Sequence, residues 1–153
     1  MATETDRIES SVLIAAPLER VWELVTSSEH VGRWFGDAGA QIDLRPGGAL
    51  SFSWREHGTV HGRVETVEPP RRFAYRWHYA REVTDEATPA NSTLVEFTLA
   101  AEGDSTRVAV VESGFDGLDL DAAERAERLA GNTRGWAAEL GELAEHAVAV
   151  TAA

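Results

Sequence analysis

The sequence predicts an α+β fold in which a curved antiparallel sheet is laid against a long C-terminal helix. Three observations predict it. Apolar residues alternate with period two from about Gln41 to Glu112. A helical stripe of Leu129, Trp136, Leu140, Leu143 and Ala147 then takes over. Between an opening strand and the strand run lie two short helical patterns. An apolar stripe as long as the last one must be covered, and the sheet is the surface the chain offers for it.

The opening strand carries Ile8, Ser10, Val12 and Ile14 on one face. Pro17 falls where a first helical turn tolerates a missing N–H, and Leu18, Val21, Trp22 and Val25 follow at helical spacing. Gly32 and Gly36 flank Trp34-Phe35, which predicts a second short helix ending in a turn. Ile42 and Leu44 run into the turn Arg45-Pro46-Gly47-Gly48. Leu50, Phe52 and Trp54 then share a strand face. Glu56-His57-Gly58 makes a tight connection, and Val60, Gly62 and Val64 alternate with His61, Arg63 and Glu65. Pro69-Pro70 breaks that strand, after which Phe73, Tyr75, Trp77 and Tyr79 alternate with polar residues. Residues 81–91 read as a polar loop. Val95, Phe97 and Leu99 form a further inward face, closed by a turn at Gly103-Asp104, and Thr106, Val108, Val110 and Glu112 share the last. About six or seven antiparallel strands are expected. Asp119 or Asp121 is placed to cap the final helix.

The chain has 153 residues and reads as one domain over 1–153, with its core at about 7–148. It has no cysteine, which removes disulfides, thiolate catalysis and cysteine-bound zinc. Its net charge of −12, from 26 acidic and 14 basic residues, repels phosphate backbones and argues against nucleic acid as a partner. The N-terminal residues lack a signal-peptide layout, and no apolar run is long enough to span a bilayer. A cytoplasmic location without membrane insertion is the expectation, as a monomer or homodimer.

Several segments together resemble a known family. Ala16-Pro17-Leu-Glu-Arg-Val-Trp22, Trp34-Phe35, Asp43-Leu-Arg-Pro-Gly-Gly48, Gly62 to Phe73, Tyr75-Arg-Trp77, Ser113-Gly-Phe115 and Gly135-Trp136 are similar to the family named after the activator of the heat-shock-protein-90 ATPase. The resemblance implies a helix-grip fold, START-like and pollen-allergen-like, with a cavity between sheet and long helix. Its bacterial members belong to a superfamily, SRPBCC, that hosts lipid carriers, cyclases, co-chaperone domains and resistance proteins. Glu112 stands where members often carry histidine.

The inward residues Phe52, Trp54, Tyr75, Trp77, Phe97, Val110, Glu112 and Trp136 are the candidate ligand-binding set. Large rings facing a long helix favour an enclosed apolar cavity, and aromatic walls with few polar groups suit a small molecule. Taken singly, each ring reads first as an ordinary core residue; it is the set that favours a cavity. Gly131 and Gly135 are unusual inside a helix, and either allow close approach to the sheet or leave volume for a ligand. Glu112 is the one charged residue placed on the concave face. As a functional group it orients a ligand or acts as a general base; as a structural one it reaches solvent or pairs with Arg107 or an arginine of the long helix. A glutamine there is expected to keep the fold, since size is preserved.

The five histidines, at 30, 57, 61, 78 and 146, show no ligand spacing, and His61 and His78 fall on outer strand faces. Neither a metal nor a cofactor is expected. The leading function is non-catalytic binding or sequestration of a small hydrophobic molecule. The alternatives are a polyketide cyclase-like or hydrolase-like enzyme using Glu112 or Tyr75, a module that stimulates a chaperone ATPase, and self-protection against a reactive natural product.

Overall fold

A computed structural model describes residues 7–56, 58–78 and 87–151. The expectations for His57, Tyr79 and residues 81–86 fall outside them. Strand β1 (Arg7–Ile14) is followed by helices α1 (Leu18–Thr26) and α2 (Ser28–Trp34). Strands β2 (Ala40–Ile42), β3 (Ala49–Trp54), β4 (Gly58–Glu68), β5 (Arg72–His78), β6 (Ser92–Glu102) and β7 (Ser105–Ser113) come next. A short 3-10 helix (Phe115–Gly117) then leads into α3 (Ala122–Thr151). Among the described residues the strands form one antiparallel sheet in the order β1-β7-β6-β5-β4-β3-β2.

The chain meander explains that order. Each strand from β2 to β7 pairs with its sequence neighbour, and β1 closes on β7. Pairing sets the concave face: Trp77 lies opposite Thr93, Val95 opposite Glu112, and Phe97 opposite Val110. One feature of β4 was invisible to strict alternation. A bulge between Val64 and Thr66 shifts the register, so that Val67 rather than Thr66 faces Phe73. Gly62 sits where β5 comes closest, since a Cβ there would stand 2.1 Å from the Arg76 carbonyl oxygen. No larger residue fits without moving the strand.

The helices close the concave side. Pro17 is the N-cap of α1 rather than a residue within its first turn. Its carbonyl accepts the Val21 N–H at 3.0 Å. Asp121 caps α3 as a capping box: its Oδ1 accepts the Glu124 N–H at 2.8 Å, while Glu124 Oε1 accepts the Asp121 N–H at 3.3 Å. That first hydrogen bond is the main reason the Asp121 carboxyl is held below its usual range. Trp136, Leu140, Leu143 and Ala147 are buried, as the stripe predicts. No described helix is long and apolar enough to cross a membrane.

Candidate functional site

Glu112 is fully buried at the centre of the concave face. Its Oε1 accepts the Trp136 indole N–H at 2.8 Å. Its Oε2 accepts the Trp77 indole N–H at 3.0 Å and the Thr93 hydroxyl at 2.5 Å. The Asn132 amide reaches both oxygens, at 3.2 and 3.3 Å. Strand parity explains why these groups converge. Thr93 lies opposite Trp77, two residues before the Val95 that pairs with Glu112, and Asn132 precedes Trp136 by one helical turn. The expected arginine partner is replaced by this set, and Arg107 turns to Glu102 at 3.1 Å. Indole and amide N–H groups can only donate, so the carboxylate acts here as an acceptor hub joining β5, β6, β7 and α3.

The aromatic rings surround this hub. Phe52, Tyr75, Trp77, Phe97, Trp136 and Val110 are buried, while Trp54 is half-buried at the margin. Phe35 stacks on Trp77 at 5.8 Å and on Trp136 at 5.4 Å between centroids, and meets Phe52 edge-on at 4.9 Å. Trp54 donates its indole N–H to the Phe35 carbonyl at 2.8 Å. Tyr75 touches Phe52, Trp77 and Phe97 at 5.4 to 6.3 Å. The rings interlock at the separations of packed aromatic pairs, where open walls around an enclosed cavity were expected.

Three members of this site escaped the sequence reading. Phe35 was seen as the end of a helix, although its flanking Gly36 leaves room for the backbone to pass Ser53, whose oxygen would lie 2.8 Å from a Cβ. Thr93 continues the inward parity of Val95 and Phe97. Asn132 is one turn before Trp136, so the signal was a polar residue on the helix face that meets the sheet.

The open volume lies beside the cluster, along the first half of α3. A groove of about 580 Å³ is lined, among the described residues, by Asp116, Ala122, Arg125, Ala126, Leu129, Ala130, Thr133 and Arg134. Ala122, Ala126, Leu129, Thr133, Trp136, Leu140, Leu143 and Ala147 follow one another at alternating steps of four and three, and therefore share one face. The second half of that face is buried. In the first half Ala122, Ala126 and Thr133 are exposed and Leu129 is half-buried. A Cβ at Gly131 or Gly135 would meet nothing within 4 Å, so neither glycine serves a close approach to the sheet.

His78 keeps the outer face that parity gives it, opposite Ser92, and is buried there. His30 and His146 come together, with Nδ1 and Nε2 2.9 Å apart. Among the described residues no group of three or more histidine, aspartate or glutamate side chains is placed to hold a metal ion.

The fold and sequence can now be set beside known proteins. The sequence profile of the Activator of Hsp90 ATPase homolog 1-like proteins matches residues 15–147, from the end of β1 to the last turns of α3. The chain belongs to that family. Among solved structures, DynU16, a protein in the dynemicin biosynthetic locus, is 25% identical with a TM-score of 0.72. The match covers 92% of this chain and 46% of DynU16, so the chain spans about half the length of that relative. Protein MLL2253 from Mesorhizobium loti is 19% identical with a TM-score of 0.75, over 92% of this chain and 95% of that one. The Aha1 dimer from Colwellia psychrerythraea is 16% identical with a TM-score of 0.71, over 91% and 93%. No curated protein matches the sequence significantly. The Activator of Hsp90 ATPase homolog 1-like family thus accounts for the helix-grip architecture, a ligand-binding type of fold.

Proposed function

We propose that this chain binds a small apolar molecule without transforming it, and that the molecule lies in the groove along the first half of α3. One observation carries the reading: a single helix face is sealed from Trp136 to Ala147 and left uncovered from Ala122 to Thr133. Three alanines, Leu129 and Thr133 line the uncovered part with Arg125, Arg134 and Asp116 at its rim, and about 580 Å³ falls within the range of small-molecule sites. The residues Phe52, Trp54, Tyr75, Trp77, Phe97, Val110 and Trp136, gathered around Glu112, are in this reading the packed core beside which α3 runs.

Glu112 supports binding over catalysis. Each of its oxygens is engaged by at least two donors, and three of its four partners cannot accept a proton. A general base needs a free lone pair within reach of its substrate. The similarity to DynU16, from a biosynthetic locus, fits a small-molecule ligand and leaves room for protective sequestration of a natural product.

The test is a titration with a neutral naphthylamine dye whose emission rises in apolar surroundings. Saturable binding at about micromolar concentration is expected. Ala126→Trp and Ala130→Trp each fill the groove and should weaken it at least about tenfold, with circular dichroism unchanged. A linear response in the parent, or equal affinity in both variants, would overturn the reading.

A further inference from the structure

We propose that His30 and His146 form a proton-operated latch, which ties α2 to α3 near neutral pH and releases it in mild acid. The two rings come from helices that the sequence separates by 116 residues. Their nitrogens face each other at 2.9 Å, with ring centroids 5.2 Å apart and planes at 65°. An N–H···N bond needs one hydrogen and one lone pair, so at least one imidazole must be neutral. Protonating both replaces donor and acceptor by two facing N–H groups and two like charges.

The surroundings of the pair bear on its charge. From α1, Glu23 Oε1 stands 3.8 Å from His30 Nε2, and Arg20 pairs with Glu23. From α2, Arg33 pairs with Glu29. On α3, Glu142 precedes His146 by one turn. At His146 burial, the His30 ring, Arg33 and Arg20 all oppose a positive charge and hold its pKa below the usual value. The sign follows. A histidine depressed in the folded state contributes stability that is present above about pH 6.5 and lost as the pH falls through its folded value.

The latch is coupled to the aromatic cluster through α2. That helix ends at Trp34, whose indole N–H donates to the Leu24 carbonyl at 2.7 Å, and the next residue is Phe35, stacked on Trp77 and Trp136. Loosening α2 from α3 therefore slackens the ring that both tryptophans rest on. The device holds whether or not the α3 groove binds a ligand.

Amide hydrogen exchange of the full chain at about pH 7.5 and 5.5, corrected for intrinsic rates, tests it. Protection of α2 should fall by about tenfold at the lower pH, the effect of one pH unit of coupled protonation, while β5 to β7 hold steady. His146→Gln and His30→Gln keep a polar partner that cannot take up a charge, and each should flatten the dependence. Should one variant fail to fold, the other serves. Imidazole nitrogen shifts of the parent supply an independent reading, with two linked titration steps expected. Unchanged α2 protection in the parent, the same fall in the folded variants, or two unlinked titrations would overturn the latch.

Discussion

Glu112 shows how much a single position can specify. Alternation from Thr106 placed its carboxylate on the concave face, and it lies there, fully buried. Its partners were harder to read, because Thr93 and Asn132 are small polar residues whose meeting depends on strand register and helix phase together. That geometry adds a stability cost to the glutamine substitution, which size alone did not suggest. Glu112→Gln matches in size but brings an amide NH₂ against indole, hydroxyl and amide donors. It should destabilise the fold by about 2–4 kcal/mol, seen as a lower denaturation midpoint at unchanged slope. Glu139 is a half-buried carboxyl that no pattern announced. Its Oε2 has no hydrogen-bond partner. Burial first, then Glu142 and Asp37, push its pKa from 4.5 up to about 8. The folded chain keeps a proton that the unfolded chain releases, so stability falls as the pH rises from 4.5 towards 8. Glu139→Gln should be more stable than the parent at about pH 8, by about 1 kcal/mol after allowing for partial solvation, and near parity at about pH 5. Equal differences in denaturation midpoint at the two pH values would refute this.

At the scale of elements, the helices and strands were legible wherever burial is one-sided. The stripe from Leu129 to Ala147 gave α3, and of the two candidate caps, Asp119 and Asp121, it is Asp121 that serves. The β4 bulge was not legible, because an extra residue in a strand leaves period two intact on either side of it. The helix glycines carried two readings, close approach to the sheet or volume left for a ligand. The first does not hold, since a Cβ at Gly135 has open space around it. Gly135→Ala should therefore stabilise the chain by about 0.5–1 kcal/mol through the backbone entropy of the unfolded state. Calorimetry should show this as a melting temperature raised by about 1–4 °C. A lower melting temperature would mean that the glycine meets a contact or a bend the helix needs.

For the whole molecule, the sequence was enough for the architecture and the family, because one sheet and one long apolar helix face leave few ways to hide both. It was not enough for the open space. Ring count argued for an enclosed cavity, but Phe35 enters from the end of α2 and stacks on both Trp77 and Trp136, which also meet each other. Among the described residues an open groove runs along α3, where the buried face runs out before the helix does. The pairing of His30 with His146 belongs to the same class of feature, since it depends on how α2 docks and has no local spacing to announce it. The most direct measurement is a backbone amide chemical-shift titration with the neutral dye. The account predicts saturable shifts concentrated at Ala122, Ala126, Leu129, Ala130 and Thr133, with smaller ones at Trp136. Shifts confined to the exposed apolar residues Leu13, Leu44 and Val148, with residues 122–134 unmoved, would contradict it.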